Sequence, residues 1–304
     1  MSPCLKSGKL HCITCHTSSG RYRFKADDKA NDACLPCHAE KVQNAASHTH
    51  HEAGSTGNQC VSCHMPTTSF ARMNRTDHSM LPPAPSATIE FGSPNACNLC
   101  HSDKDAAWAD AFVREWRERD YQEVVLFRSR LIEAARKGDW SRLSDILSFI
   151  QNTENNEVHR TSLVRLLGTN LYNEKWPVLR QLLQDASPLV RSSAALALSD
   201  GLTGENVAAL LSLTADPVRL VRIRAAEALA PIPASMATGG ARQSFEAAQA
   251  ELLSALNVRP DIWTSHYNLG NYYSGINEVI RQSLHTRQRC SLSRAPSFRL
   301  RTSR

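Results

Sequence analysis

Four copies of the pattern Cys-x-x-Cys-His lie in the first third of the chain. Two thiols three residues apart on one helical turn can add to the two vinyl groups of a single haem, and the following histidine then offers its imidazole to the iron. The pattern therefore predicts four covalently attached c-type haems. The cysteines are Cys12 and Cys15, Cys34 and Cys37, Cys60 and Cys63, and Cys97 and Cys100, and the proximal histidines are His16, His38, His64 and His101.

Zinc binding and disulfide bonds are the two other uses that the cysteine spacing allows. The 18 residues between Cys15 and Cys34 match the spacing of a zinc ribbon with four cysteine ligands. A zinc site, however, gives no reason for a histidine directly after every second cysteine. We therefore favour covalent haem and keep disulfides and zinc as the alternatives.

Five further histidines in the region up to His101 are candidates for the second axial position of the irons. Their number is sufficient to give every iron two imidazole ligands, which favours a low reduction potential and electron transfer over substrate binding. The alternative for each is an exposed histidine without a ligand role. The candidates are His11, His48, His50, His51 and His78, and three methionines are weaker candidates: Met65, Met73 and Met80.

The positions of these histidines suggest different roles. His48 and His51 are three residues apart, so on a helix they share one face and would serve one haem. His11 directly precedes the first motif and is expected to bind the iron of a neighbouring haem rather than its own. We rank His78 and one member of the cluster His48, His50 and His51 highest.

Four stretches of the chain are similar to a known family: His11–Phe24, Cys60–Pro66, Asp77–Met80 and Gly92–His101. They resemble the multihaem c-type cytochromes that carry HEAT-like and tetratricopeptide repeats behind a haem domain. The resemblance covers roughly residues 2–275 and is more specific for haem than for any reaction. It implies that His78 and the His50/His51 pair are distal ligands.

The beginning of the printed chain differs from that family, whose members have a signal peptide and further haem-binding sequence upstream. Here Met-Ser-Pro-Cys4 stands directly before the first motif. Haem c is attached in the compartment in which disulfides can also form. We therefore expect a missing export signal, a periplasmic or otherwise extracytoplasmic protein, and no transmembrane segment within these residues.

The composition changes after His101, where cysteine disappears until Cys290 and alanine, leucine and arginine become frequent. The segment Ser102–Asp105 has the composition of a helix start. Aromatic residues then recur every fourth position and predict one stripe on a helix: Trp108, Phe112 and Trp116. We expect this stripe to cover the last haem or to dock the haem domain on the following residues.

An internal repeat runs from about residue 140 to 235 and is clearest at a shift of 31 residues. Two amphipathic helices per unit, with alanines where helices pack closely, are typical of a HEAT-type solenoid. An ordinary helical bundle is the alternative. The residues from Leu179 to Leu198 that align with Leu210 to Leu229 are Leu179, Leu182, Asp185, Leu189, Val190, Arg191, Ala194, Ala195, Ala197 and Leu198.

The residues after this repeat follow a different pattern. Ala248, Ala255 and Pro260, followed by Leu269, Gly270 and Tyr273, occupy the spacing of a partial tetratricopeptide (TPR) unit. The tail 276–304 has seven arginines and one acidic residue, and its net charge of +6 equals that of the whole chain. We expect a disordered or misread tail and no nucleic-acid partner.

The fold class predicted from the 304 residues is mainly α, with an irregular haem-packed domain followed by an α-solenoid. Nothing in the composition indicates a sheet-rich fold. The predicted order is a tetrahaem cytochrome c domain (1–106), connecting helices (107–139), HEAT-like repeats (140–235), a partial TPR (240–275) and the basic tail (276–304).

Three function classes are compatible with this organisation. We favour an electron-transfer protein whose four haems form a chain and whose repeats bind a redox partner or a neighbouring subunit. A multihaem oxidoreductase of the nitrite or hydroxylamine type would need one haem with an open axial position and nearby acid–base groups. No catalytic cluster stands out in the sequence. The third class is a scaffold that haem merely stabilises.

Overall fold

The computed structural model describes residues 2–274 and residue 276. The predicted tail 276–304 lies outside the described residues except for Ile276. The chain divides into two compact units, residues 1–133 and residues from 134 onward. Within the described part, no helix has both the length and the apolar character that a bilayer crossing requires.

The first unit consists of short helices and turns together with one hairpin. Strands β1 (Thr67–Phe70) and β2 (Met73–Thr76) pair antiparallel, with Thr67 opposite Thr76. The helices are α1 (Pro3–Lys6), α2 (Cys12–Cys15), α3 (Leu35–Gln43), α4 (Ala45–Thr49), α5 (Cys60–His64), α6 (Pro85–Phe91), α7 (Cys97–Cys100), α8 (Ala106–Glu115) and α9 (Gln122–Arg136), the last of which contains the boundary between the units.

Helix α8 begins as the sequence predicts. Asp105 is its N-cap, and the carboxylate accepts a hydrogen bond of 2.8 Å from the Trp108 backbone N–H. This bond satisfies one of the backbone donors that a helix start leaves without an intrahelical partner. The predicted helix start at Ser102–Asp105 is therefore confirmed.

A polar network joins α6, α8 and the start of α9. The Gln122 side chain accepts a hydrogen bond from the Ser86 backbone N–H (3.0 Å) and donates one to the Asp110 carboxylate (2.7 Å). Arg114 bridges Asp110 and Asp120 at 2.8 Å each. Gln122 is almost fully buried, so these bonds meet the requirement that a buried polar group finds partners.

The second unit is built from helix pairs. Each pair consists of two helices of eight to ten residues, and α16 then runs for 18 residues. The helices are α10 (Leu143–Gln151), α11 (Glu157–Leu166), α12 (Lys175–Leu182), α13 (Pro188–Ala197), α14 (Gly204–Leu213), α15 (Arg219–Ala228) and α16 (Gly239–Leu256), and residues 263–274 are also helical.

The apolar positions of the 31-residue repeat form the core of this unit. Leu179 and Leu210 are fully buried, and so are Val190 and Val221. Leu220 is exposed, so that repeat position does not belong to the core. Buried positions recur three or four residues apart on these helices, as in Val221, Ala225 and Ala228 of α15, because stacked helix pairs share one continuous apolar layer.

Arginine–carboxylate pairs connect successive helix pairs, with the arginines 31 residues apart. Arg160 pairs with Asp185, and both side chains are buried. Arg191 pairs with Asp216 at 2.8 Å, and Arg222 pairs with Glu251 at 2.7 Å. The aspartate and the arginine that recur every 31 residues therefore form salt bridges between successive helix pairs. The sequence repeat alone did not reveal this pairing.

Lys175 is almost fully buried in the second unit although it is charged. Its Nζ donates hydrogen bonds to the carbonyl oxygens of Leu167 (3.0 Å), Gly168 (3.4 Å) and Asn170. These carbonyls end α11 and the 3₁₀ turn after it, where helix carbonyls lack backbone partners. Burial lowers the pKa of Lys175, and Asp200 opposes that shift.

The variant Lys175→Met is expected to lower the free energy of unfolding by about 2–3 kcal/mol, because it leaves buried carbonyl acceptors without a donor. Urea denaturation followed by circular dichroism measures the change. The matched control is Lys137→Met, since Lys137 is an exposed lysine of the same unit. Equal midpoints for the two variants would contradict the capping role.

Helix α16 extends the array beyond the repeat. Ala248 and Leu252 form a buried cluster with Ala226 of α15, and Tyr272 packs against this cluster. An added Cβ at Gly270 would meet no atom within 4 Å, so this glycine does not permit a close helix contact in the described part of the chain. The partial TPR at 240–275 stays a prediction.

Candidate functional site

The first, third and fourth Cys-x-x-Cys-His motifs each form one helical turn that ends at or directly before the histidine, whereas in the second Cys34 ends a 3₁₀ turn and α3 continues to Gln43. The His16 N–H donates to the Cys12 carbonyl, and the His101 N–H donates to the Cys97 carbonyl, both at 2.9 Å. In α3 the backbone leaves helical geometry at His38. The two hydrogen bonds bring the backbone of the histidine next to that of the first cysteine in the first and fourth motifs.

The second and third motifs lie next to each other. The side chains of Cys34 and Cys60 interact, which raises the pKa of Cys34 and lowers that of Cys60. The Asn31 amide holds the two motifs together, because Nδ2 donates to the Asn58 carbonyl (3.0 Å) and Oδ1 accepts from the Cys60 N–H (2.8 Å). Burial raises the pKa of Cys63 to about 11.

Three motif histidines each face one histidine from outside the motifs. The ring centres of His16 and His78 are 6.2 Å apart, with ring planes inclined by 26°. The same distance separates His64 from His48, whose ring planes are nearly parallel. His101 and His51 are 6.0 Å apart. The structure thus brings together three of the five distal candidates with three of the four proximal histidines.

The ring separation fits two imidazoles on one metal ion. Metal–imidazole bonds are about 2 Å long, so the two ligating nitrogens lie about 4 Å apart and each ring centre roughly 1 Å further back. The expected distance between ring centres is therefore about 6 Å. The observed distances of 6.0–6.2 Å agree with this value.

Backbone carbonyls select the tautomer of four of these rings. Nδ1 lies near a carbonyl oxygen in four of the six histidines, and a carbonyl can only accept a hydrogen bond. Nδ1 therefore carries the proton, and Nε2 keeps its lone pair for a metal, as in most histidine metal sites. The contacts are His16 to Gly20 (3.0 Å), His51 to Thr49 (2.6 Å), His64 to Leu81 (3.2 Å) and His78 to Thr76 (2.8 Å).

Burial also favours the neutral form of one pair. Loss of solvent lowers the pKa of His48 and of His64, and the positive charge of Arg117 lowers both further. The neutral imidazole is the form that binds a metal ion.

The β-hairpin brings His78 to its position. The Asp77 N–H donates to the Pro66 carbonyl (2.9 Å), which extends the strand pairing by one step. The Asp77 carboxylate accepts hydrogen bonds from the Ser79 N–H (2.7 Å) and hydroxyl (2.9 Å). The Asp-His-Ser sequence is therefore an Asx turn that fixes the backbone on both sides of the histidine.

His48 and His51 reach two different motifs, contrary to the expectation that they share one helix face. Helix α4 ends at Thr49, and His50 takes a left-handed conformation with φ of 59°. The turn directs His48 toward His64 and His51 toward His101. The helical spacing rule fails here because the helix does not continue through residue 50.

The aromatic stripe of α8 covers the fourth motif. Trp108 lies 4.8 Å from the His101 ring, and the chain of ring contacts continues through Phe112 to Trp116. Trp116 stacks on His50 at 4.2 Å. The expectation that the stripe lies at the last motif agrees with this geometry, while His50 contacts a tryptophan rather than a motif histidine.

His11 and His38 are placed differently from the paired histidines. Both are exposed, and among the ring contacts of the described residues neither faces another histidine. His11 precedes α2, and its backbone N–H donates to the Thr14 hydroxyl (3.2 Å). The predicted ligation of a neighbouring haem by His11 stays a prediction.

Tyr22 is a site residue that sequence reasoning missed. It pairs with His16 in an isolated β-bridge, and the two rings are 5.9 Å apart. Its hydroxyl is buried without a hydrogen-bond partner in the described part of the chain. Burial raises the pKa of Tyr22, and the nearby Cys15, Cys34 and Cys60 raise it further. A buried hydroxyl without a hydrogen-bond partner costs folding free energy. The Tyr22 hydroxyl is therefore available to bind a polar group that the polypeptide does not supply.

A zinc site requires three or four protein ligands close together. No three His, Cys, Asp or Glu side chains in the described ranges form a group that could hold a metal ion. This absence does not bear on the histidine pairs, because a haem iron takes only two ligands from the protein.

Comparison with known proteins identifies the repeat. Residues 143–230 match the family model of HEAT repeats. The match spans α10 to α15 and confirms the HEAT-like part of the predicted repeat. No c-type cytochrome family is matched, and no curated protein and no solved structure matches the chain. Residues 143–230 are therefore a helical repeat of the HEAT type, and such repeats generally mediate protein–protein interaction.

Proposed function

We propose that the chain is a multihaem c-type cytochrome that acts in electron transfer and binds a protein partner through its HEAT repeats. The observation that carries the proposal is the set of three histidine pairs at the separation of two axial ligands. Each pair joins one motif histidine to one histidine from elsewhere. Structural disulfides or zinc in the same motifs would give no reason for this pairing.

The residues that would hold the haems follow from the motifs and the pairs. The thiols of each motif would form the thioethers, and three irons would have the ligands His16 and His78, His64 and His48, and His101 and His51. His38 would be the proximal ligand of the remaining haem. Bound haem iron would supply reversible one-electron exchange between its ferric and ferrous states.

The ligand arrangement favours electron transfer over catalysis. Two histidine ligands would leave an iron no open position for substrate, and the Nδ1–carbonyl hydrogen bonds hold four of the rings in place. The described residues of the first unit also connect neighbouring motifs closely, since Cys34 contacts Cys60 and one turn supplies both His48 and His51. Short distances between motifs favour electron transfer between the haems that they would bind.

A multihaem oxidoreductase with one open haem is the second candidate. It is favoured by the exposed His38, which faces no other histidine among the described residues. The spin state of the second-motif haem distinguishes the two functions, because an iron with a single histidine ligand is high spin.

The repeat unit would bind a redox partner protein or a neighbouring subunit. Its arginine–carboxylate bridges join successive units and support a stable binding surface. We propose an extracytoplasmic location, because haem c is attached where disulfides also form. The scaffold interpretation would instead require that the haems transfer no electrons.

The test is to produce the whole chain, with an added export signal, in a host that matures c-type cytochromes. Intact mass gives the number of haems, and optical and EPR spectra give the spin states. Four covalent haems, of which at least three are low spin, are expected. A protein without covalent haem would contradict the proposal. Zinc binding or disulfide bonds would then be the role of the cysteines. The control is the same chain produced in the cytoplasm.

The variant His78→Ala is expected to convert one haem from low to high spin while four haems stay attached, because His78 holds the iron but not the thioethers. EPR spectroscopy and intact mass measure the two properties. The control is His266→Ala, which removes an exposed histidine of the second unit. An unchanged spin state in His78→Ala would remove this residue from the ligand set.

A further inference from the structure

The turn that separates His48 from His51 depends on the residue between them. The His50 N–H donates to the Ala46 carbonyl (2.8 Å), and the left-handed backbone of His50 then ends α4. Non-glycine residues rarely adopt this conformation, and β-branched residues are least suited to it. Histidine is among the residue types that tolerate it.

The His50 side chain is occupied by a contact of its own. Its ring lies 4.2 Å from the Trp116 ring, and the planes are inclined by only 11°. This geometry is a stacking interaction, which stabilises the orientation of His50. The same ring is not in contact with a motif histidine among the described residues, although the sequence ranks it with its neighbours as a candidate ligand.

Gly57 and Asn58 contact the residues on both sides of His50. An added Cβ at Gly57 would lie 2.2 Å from the His51 ring, so the ring packs directly against the glycine backbone. The Asn58 amide donates to the Thr49 hydroxyl (3.1 Å) and to the His51 carbonyl (3.3 Å). The direction of His51 is therefore fixed once the chain turns at residue 50.

We infer that His50 is a positioning residue and not a haem ligand. Its left-handed backbone directs His48 to the third motif and His51 to the fourth, while its ring is occupied by stacking on Trp116. The inference rests on the proposed function, because it takes the paired histidines as axial ligands. A helix that continued through residue 50 would place His48 and His51 on one face and could not serve both motifs.

Two variants of His50 separate the roles of its ring and its backbone. His50→Asn removes the imidazole but keeps a residue that tolerates the left-handed conformation. His50→Val removes the imidazole and disfavours that conformation. Both are made in the haem-loaded whole chain, haem number is determined by intact mass, and spin state is determined by EPR. Wild-type protein with four haems is the reference.

The expected result is that His50→Asn keeps the wild-type number of low-spin haems. In His50→Val at least one of the third and fourth haems changes from low to high spin, with all four haems still attached. Loss of a low-spin haem in His50→Asn would show that the imidazole is a ligand and would overturn the inference. Unchanged spectra in His50→Val would overturn it as well. Failure of the proposed function would differ from both, because the wild type would then carry no haem.

Discussion

Without haem attachment, residues 2–105 are expected to be digested rapidly by a protease while the HEAT repeats stay intact. The described hydrophobic side chains buried before residue 106, apart from proline, are four alanines: Ala30, Ala45, Ala87 and Ala96. The second unit instead buries leucine, isoleucine and valine throughout its helices.

The energies explain the expected difference. Burying a leucine or isoleucine stabilises a fold by about 1.5–3 kcal/mol, whereas a methyl group contributes about 0.8 kcal/mol. Ordering one residue costs about 1–2 kcal/mol of backbone entropy. Four alanines cannot offset that cost over roughly a hundred residues, so the first segment depends on apolar surface from another source. Covalent haem would supply it.

Limited proteolysis with mass spectrometry measures this effect on protein from the cytoplasm and from the maturing host. The amino-terminal segment is expected to lose protection by at least tenfold in cleavage rate when haem is absent. The fragment that contains residues 143–230 serves as the internal control, since it should persist in both samples. Equal protection of residues 2–105 in both samples would contradict a haem-dependent fold.

The variant Asp185→Ala is expected to destabilise the second unit by about 3–5 kcal/mol, because it leaves a buried arginine without its counter-charge. Arg160 and Asp185 are 3% and 5% exposed. Arg160 Nε also donates to the Ile150 carbonyl (2.7 Å), and the Asp185 carboxylate accepts from the Ser187 N–H (2.9 Å). The pair thus connects α11 with the start of α13.

Urea denaturation of the haem-loaded protein, monitored on the helical signal, measures the loss. The matched control is Asp261→Ala, which breaks an exposed pair with Arg259 and should cost about 0–1 kcal/mol. The double variant Arg160→Met/Asp185→Leu should recover most of the loss, since a hydrophobic pair can replace a buried ion pair. A loss in Asp185→Ala no larger than in the control would refute the bridging role.

The sequence and the structure agree where the information is local or periodic. The four motifs and the helix start at Asp105 can be read from neighbouring residues, and the 31-residue period from the recurrence of residue types along the chain. A repeat also identifies its own core, because equivalent positions such as Leu179 and Leu210 face the same layer. The haem-packed character of the first unit stays a prediction.

The sequence did not decide which histidine faces which motif. Spacing alone placed His48 and His51 on one helix face, and a single left-handed residue, His50, separates them. The pairing of His16 with His78 depends on the hairpin of β1 and β2, which folds the chain back before His78. No local sequence pattern specifies that contact.

By itself, the sequence determined the four motifs and the repeat period of this protein, because each motif consists of adjacent residues and the repeat is visible as a recurring pattern of residue types along the chain. Tertiary structure alone decided the histidine pairs, the orphan hydroxyl of Tyr22 and the bridge from Arg160 to Asp185. These features join residues far apart in the chain or depend on one backbone angle. The physical reason is that a contact is set by how the elements fold back on one another, and composition and periodicity do not encode that geometry.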